Sequence, residues 1–175
     1  MRWGLAAACL VLTAALTTPA AATLRIYGDT GGRVGAYFAR YMTIRQSGQQ
    51  VIVDGRCYSA CTMVLGLVPP ERLCVTPNAV FGFHAAWQMD GAGQRQSVAS
   101  ANRALMQIYP APIRAWVTRH GGLTARMLFL QGRELTGMVA PCALNQRSAY
   151  RPGALSPGPQ ALTPDRRPAN ADAQQ

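Results

Sequence analysis

The chain is 175 residues long, 49% hydrophobic and 14% charged, with 17 basic and 7 acidic residues and a formal net charge of +10. That length suits one compact domain with tails rather than two domains. Every basic residue is an arginine. After Arg2 the arginines are scattered from Arg25 to Arg167 rather than gathered in a run, which argues for a generally basic surface and against a nucleic-acid or lipid-binding tract. Without lysine, no step needing a side-chain amine can be built from this chain alone.

The opening segment "MRWGLAAACLVLTAALTTPAAA" has a positive start, an apolar middle and small residues at Ala20 and Ala22, the pattern that a signal peptidase cuts. Residues 1–22 are therefore expected to be a signal peptide, removed after Ala22. The segment is also about the ~20 residues needed to cross a bilayer, so an uncleaved anchor is the alternative. "TLRIYGDTGG" follows as a strand ending in a Gly-Gly turn. "RVGAYFARYMTIRQSG" then places Val34, Phe38, Tyr41, Met42 and Arg45 at helical spacing, with Gly48 as the stop.

"QQVIVDG" reads as a continuous apolar strand, and "SACTMVLGLV" as a helix that is apolar nearly all round and ended by Pro69 and Pro70. "RLCVT" and "AVFGFH", on either side of Pro77, read as two short strands. The order β-α-β-α-β predicts an α/β fold, a parallel β-sheet core with crossover helices. A polar-rich helix is expected from Gln94 to Tyr109, and a second over "IRAWVTRH" that closes at Gly121 and Gly122. A third is expected to be capped by Thr124 and to run to about Gln131. The domain is expected to span 23–144, and the Pro-, Gly-, Ser- and Ala-rich segment 145–175 is expected to be disordered.

Once the signal is removed, Cys57, Cys61, Cys74 and Cys142 remain. An even count in an exported chain points to disulfides, for which three pairings exist. Zinc is the rival reading, but C-x3-C followed by single, widely spaced cysteines lacks the paired knuckles of a structural site. No metal and no cofactor is expected.

Three pieces could meet at the carboxyl ends of parallel strands, where functional groups collect in such sheets: Gly31-Gly32, Ser59 and His84. A serine hydroxyl needs a base within reach and donors aimed at the oxyanion. His84 is the candidate base. The backbone N–H groups of Gly32 and Ala60 are the candidate donors, the first because no side chain crowds it and the second because the first N–H groups of a helix are unpaired. Taken singly, a serine before an apolar helix is more often a cap, a strand-ending histidine more often structural and Gly-Gly more often a turn.

Together the pieces resemble the proteolytic subunit of Clp protease, within the wider Clp/crotonase fold. "DTGG" ending at Gly32 is similar to the family's oxyanion segment, "GRCYS" ending at Ser59 to its nucleophile segment, and "PNAVFGFH" ending at His84 to the strand that leads into its histidine. The resemblance covers about Leu24 to Cys142, and from Ser59 to His84 it runs without a gap. It implies a secreted, peptidase-like serine hydrolase of the bacterial periplasm or exterior that acts on peptides or proteins. A catalytically degenerate binding or scaffold protein is the alternative.

The resemblance also implies departures from the family. The segments that dock an ATPase ring have no counterpart, so the domain is truncated at its amino terminus and no unfoldase partner is expected. No nucleic-acid partner is expected either. The family's triad acid falls near Met127, leaving Glu134 and Asp90 as substitutes, and a Ser-Lys dyad like that of related signal-peptide peptidases cannot be built. The short polar helix after Gln94 replaces the one through which rings form, so a smaller homo-oligomer or a monomer is expected. Cys57 and Cys61, on a turn and the first helical turn, can bring their Cα atoms about 6 Å apart, within disulfide range. The resemblance returns "VAPC" beside the start of "RLCVT", which implies the pairing of Cys74 with Cys142.

Overall fold

The computed structural model describes residues 22–143; all but the last residue of the expected signal peptide, and the whole expected tail, lie outside the described residues. Strand β1 (Thr23–Asp29) leads through the turn at 30–33 into helix α1 (Val34–Ser47). Gly48, left-handed at φ 75°, ends that helix, as the sequence predicts. Of the expected helix face, Tyr41 is buried together with Ile44, whereas Phe38 is 44% exposed. The helix buries a narrower stripe than its spacing suggests.

Strand β2 (Gln50–Tyr58) runs past the expected glycine stop to the brink of Ser59. The apolar helix after it is split: a 3-10 turn (Ser59–Met63) passes into one turn of α-helix, α2 (Val64–Leu67). Tyr41 fixes the top of this segment, its hydroxyl donating to the Cys61 carbonyl at 3.0 Å.

The two expected short strands are β3 (Leu73–Val75) and β4 (Val80–Phe83), and both pair in parallel with β2, β3 along its first half and β4 along its second. Asp54 bridges the break between them. Its carboxylate accepts from Thr76 Oγ1 at 2.5 Å, Asn78 Nδ2 at 3.1 Å and Arg25 Nη1 at 2.7 Å. Burial opposes ionisation of Asp54, but these donors outweigh it and hold the carboxyl below its ordinary value.

Two sequence expectations are corrected beyond His84. Trp87–Met89 (β5) and Arg95–Ser97 (β6) form an antiparallel hairpin, so the next helix, α3 (Ala99–Ile108), begins five residues later than Gln94. After α4 (Ala111–Arg119), the stretch expected to be helical contains strand β7 (Leu128–Gln131), followed by the short helix α5 (Gly132–Thr136). The sheet order is β1-β2-β4-β7, with β3 on β2, and β7 is antiparallel to β4. The fold is thus mixed α/β with a mostly parallel sheet.

Phe81 and Phe83 of β4 are fully buried, and Phe83 meets Tyr109 edge-on at 5.3 Å and Trp116 at 5.9 Å. Such aromatic pairs contribute about 0.5–1.5 kcal/mol each beyond their burial. They tie the end of β4, and hence the following His84, to the helices on the core side. Among the described residues no helix is long and apolar enough to cross a membrane.

Candidate functional site

Cys57 is bonded to Cys61, with Cα atoms 5.2 Å apart, and Cys74 to Cys142 at 4.9 Å. The second bridge lies where the chain returns beside β3: Val75 N–H donates to the Ala140 carbonyl and Cys142 N–H to the Val75 carbonyl, each at 3.0 Å. With all four cysteines in disulfides, the thiolates a zinc site would need are gone. Disulfides of this kind persist in oxidising compartments.

Ser59 is the first residue beyond β2 and His84 the first beyond β4, and these are neighbouring parallel strands in register Tyr58 to Gly82. The turn after β1 reaches the same edge of the sheet, since Asp29 pairs with Cys57. Three adjacent carboxyl ends therefore bring together the Gly-Gly turn, the serine and the histidine.

Ser59 has φ 56° and is the one non-glycine residue at positive φ among the described residues. An L-residue held there costs of order 1–2 kcal/mol, which surrounding structure must supply. The disulfide spans the residue, from two before to two after it. The ordinary cap role is not the one Ser59 plays: the residue before the 3-10 turn is Tyr58, and no side chain caps that turn.

Gly31 presses against Ser59. A Cβ on Gly31 would lie 2.5 Å from Ser59 Cβ, 2.6 Å from the Tyr58 carbonyl oxygen and 2.9 Å from Ala60 N, and the residue itself has φ 84°. Only glycine fits there. Its N–H donates to Asp29 Oδ1 at 2.9 Å, and the same oxygen accepts from Tyr37 Oη at 2.5 Å, while Arg40 lies 3.5 Å from Oδ2. Burial and the bond to Asp29 raise the Tyr37 phenol well above its usual range, so it stays a donor. Sequence reasoning missed this brace, although Asp29 opens the turn and Tyr37 follows it by five residues. Gly32, with its side of the turn against the Tyr37 ring, has an N–H with no acceptor among the described residues. Ala60 is 2% exposed, and its N–H is one of the first of the helical segment.

His84 is half-buried, and its one hydrogen bond among the described residues joins Nδ1 to the Ala85 carbonyl at 2.7 Å. A carbonyl only accepts, so Nδ1 carries the proton and, in the neutral ring, Nε2 holds the free lone pair. No hydrogen bond links Ser59 to His84. The two stand on neighbouring strands without the direct bond that the sequence reading anticipates, and such bonds are commonly long until substrate is present.

Neither substitute acid bonds to His84. The Asp90 carboxylate is committed to the β5–β6 turn, where it accepts from Gln94 N–H at 2.8 Å, Gln96 Nε2 at 3.2 Å and Ala92 N–H at 2.9 Å, and these bonds hold its carboxyl below the ordinary value. Glu134 is exposed on α5. Phe83 pairs with Leu128 at the end of the β4–β7 register, so Met127, where the resemblance puts the acid, directly precedes the last paired residue of β7. The Met127 sulfur covers Gly82 beside the Tyr58 ring.

No family model matches the chain, and no curated protein does. Among solved structures, the chain is similar to a peptidase from Plasmodium falciparum with a TM-score of 0.45 and 10% identity, over 69% of this chain and 76% of that one. A likeness that distant carries no activity across.

Proposed function

We propose that this protein is an exported serine hydrolase of peptidase type, Clp-like in layout, with Ser59 as nucleophile and His84 as base. The observation that carries the reading is Ser59 itself: a non-glycine residue in the left-handed region, at a strand-to-helix turn, wedged against a glycine and spanned by a disulfide. A strained serine at a strand-to-helix turn is the arrangement that exposes a nucleophile.

In this reading, Nε2 of His84 takes the Ser59 proton as Oγ attacks the substrate carbonyl carbon. The carbonyl electrons move onto oxygen, where the N–H groups of Gly32 and Ala60 receive them. On collapse the C–N bond breaks, and the imidazolium returns the proton to the leaving amine. Water, deprotonated by the same nitrogen, then frees the acyl-serine. The Ala85 carbonyl fixes the tautomer but, being neutral, stabilises the imidazolium less than a carboxylate would. Slow turnover follows. The same deficit favours the second reading, a Clp-like binding or scaffold protein that keeps the groove.

A fluorophosphonate probe separates the two. The mature wild type should label, while Ser59→Ala and His84→Ala, both cooperatively folded by circular dichroism, should lose labelling by at least ~10²-fold, the lower range for a proton-transfer group. A wild type that never labels would leave the scaffold reading, and labelling that persists in Ser59→Ala would remove Ser59 from the chemistry.

A further inference from the structure

Between α3 and the loop 121–123 lies an open pocket of about 420 Å³, lined by Asn102, Arg103, Met106, Gln107, Gly122 and Leu123. Its walls are fastened to the chain leaving His84. Asn102 Oδ1 accepts from Ala86 N–H at 2.7 Å, and Ala85 N–H donates at 2.7 Å to the carbonyl of Thr124, the residue after Leu123. The pocket wall is thus tied to the first and second residues after His84.

The pocket's polarity is one-sided. The ion pairs among the described residues use Arg25 with Asp54 and Arg40 with Asp29. Arg103 has no acidic or hydrogen-bond partner among the described residues, and no acid lines the pocket. The same pocket is lined by the Gln107 amide, which can add donors, by Asn102, whose amide is already bonded to Ala86 and Ser97, and by Met106 and Leu123, whose apolar surfaces suit a methylene stem. A lysine or arginine side chain would meet a like charge there. We propose that this pocket is a subsite for a carboxylate of the bound peptide, anchored by Arg103. The subsite rests on the hydrolase reading only for the peptide it would serve; carboxylate capture can be measured without turnover.

The test is fluorescence anisotropy with the full mature chain carrying Ser59→Ala and three labelled peptides of one length: neutral and amidated, the same with an internal glutamate, and the neutral peptide with a free carboxyl terminus. At least one carboxylate peptide should bind about tenfold more tightly than the neutral one, the size of one charge-assisted hydrogen bond, and added salt should erode the difference. Which of the two prevails identifies the source as side chain or terminus. Arg103→Gln should abolish the preference and Arg103→Glu should invert it in favour of the neutral peptide; Arg103 is exposed, so neither change should disturb folding. Equal affinities, absence of binding by all three, or a preference that survives both Arg103 variants would overturn the subsite. Failure of the hydrolase reading looks different: a wild type that does not label with fluorophosphonate while Ser59→Ala still discriminates carboxylate peptides.

Discussion

At the scale of single residues, the site depends on what stands beside His84. Met127 directly precedes Leu128, which pairs with Phe83 just before His84, while the Ala85 carbonyl accepts from Nδ1. Hydrogen bonds to an ionised acceptor are roughly twice as strong as neutral ones, a gain of about 1.4 kcal/mol or tenfold in rate where the imidazolium forms. Met127→Asp should therefore raise the fluorophosphonate labelling rate about tenfold, with the melting temperature followed alongside because a packed thioether is lost. No increase in a folded variant would show that aspartate at 127 does not reach Nδ1. Ser59, His84 and the Gly-Gly turn were legible in the sequence as residue types at the ends of apolar strands. The Asp29 to Tyr37 brace was not, because a hydrogen bond from a helix back to a turn leaves no periodic signal. Nor did the sequence reveal that Ser59 takes a left-handed conformation, a property enforced by Gly31 and the disulfide from outside the residue.

At the scale of elements, β1, α1, β3 and β4 follow from apolar runs and glycine or proline stops, β2 overruns its glycine and the helix after it is split, and the larger misreadings lie after His84. "WQM" and "RQS" are exposed throughout, so no alternation of buried and solvent-facing side chains marked them as strands, although "DGAG" between them is a turn signal. "LFLQ" does alternate, with Leu128 and Leu130 buried and Phe129 and Gln131 exposed; a period of two was present, but the assumed Thr124 cap suggested a helix. The join between β3 and β4 offers a test at this scale. Asp54 holds three partners across it, and its folded-state pKa is depressed. A depressed carboxylate contributes stability above its unfolded pKa, about 3.9, and loses it as pH falls through the lower folded value. Urea denaturation should find Asp54→Asn destabilised by about 1.5–3 kcal/mol at pH 7, the range for hydrogen bonds to a charged group. That gap should be unchanged at pH 5.5 and shrink below about pH 4. A gap that does not depend on pH would assign the effect to shape rather than charge.

At the scale of the whole molecule, two disulfides of different reach do different work. Cys74 and Cys142 are 68 residues apart in sequence and tie the last described segment to the sheet, whereas Cys57 and Cys61 are four apart and enclose only the serine turn. Loop-closure entropy grows with the logarithm of loop length, which predicts about 4 kcal/mol for the long bridge and about 2 kcal/mol for the short one. If stability alone mattered, removing the long bridge should be the more damaging in every assay. The site geometry predicts a crossing instead. Cys74→Ala with Cys142→Ala should lower the urea midpoint most, yet leave labelling of the folded fraction near wild type, because β2, the Gly31 contact and His84 do not depend on that bridge. Cys57→Ala with Cys61→Ala should cost less global stability but slow labelling more, since the left-handed turn at Ser59 loses the constraint that spans it. Unfolding curves and labelling rates measured on both double variants decide the matter. If labelling falls in step with stability for the two bridges, the short disulfide is an ordinary staple; if it falls only with the short one, the bridge positions the nucleophile.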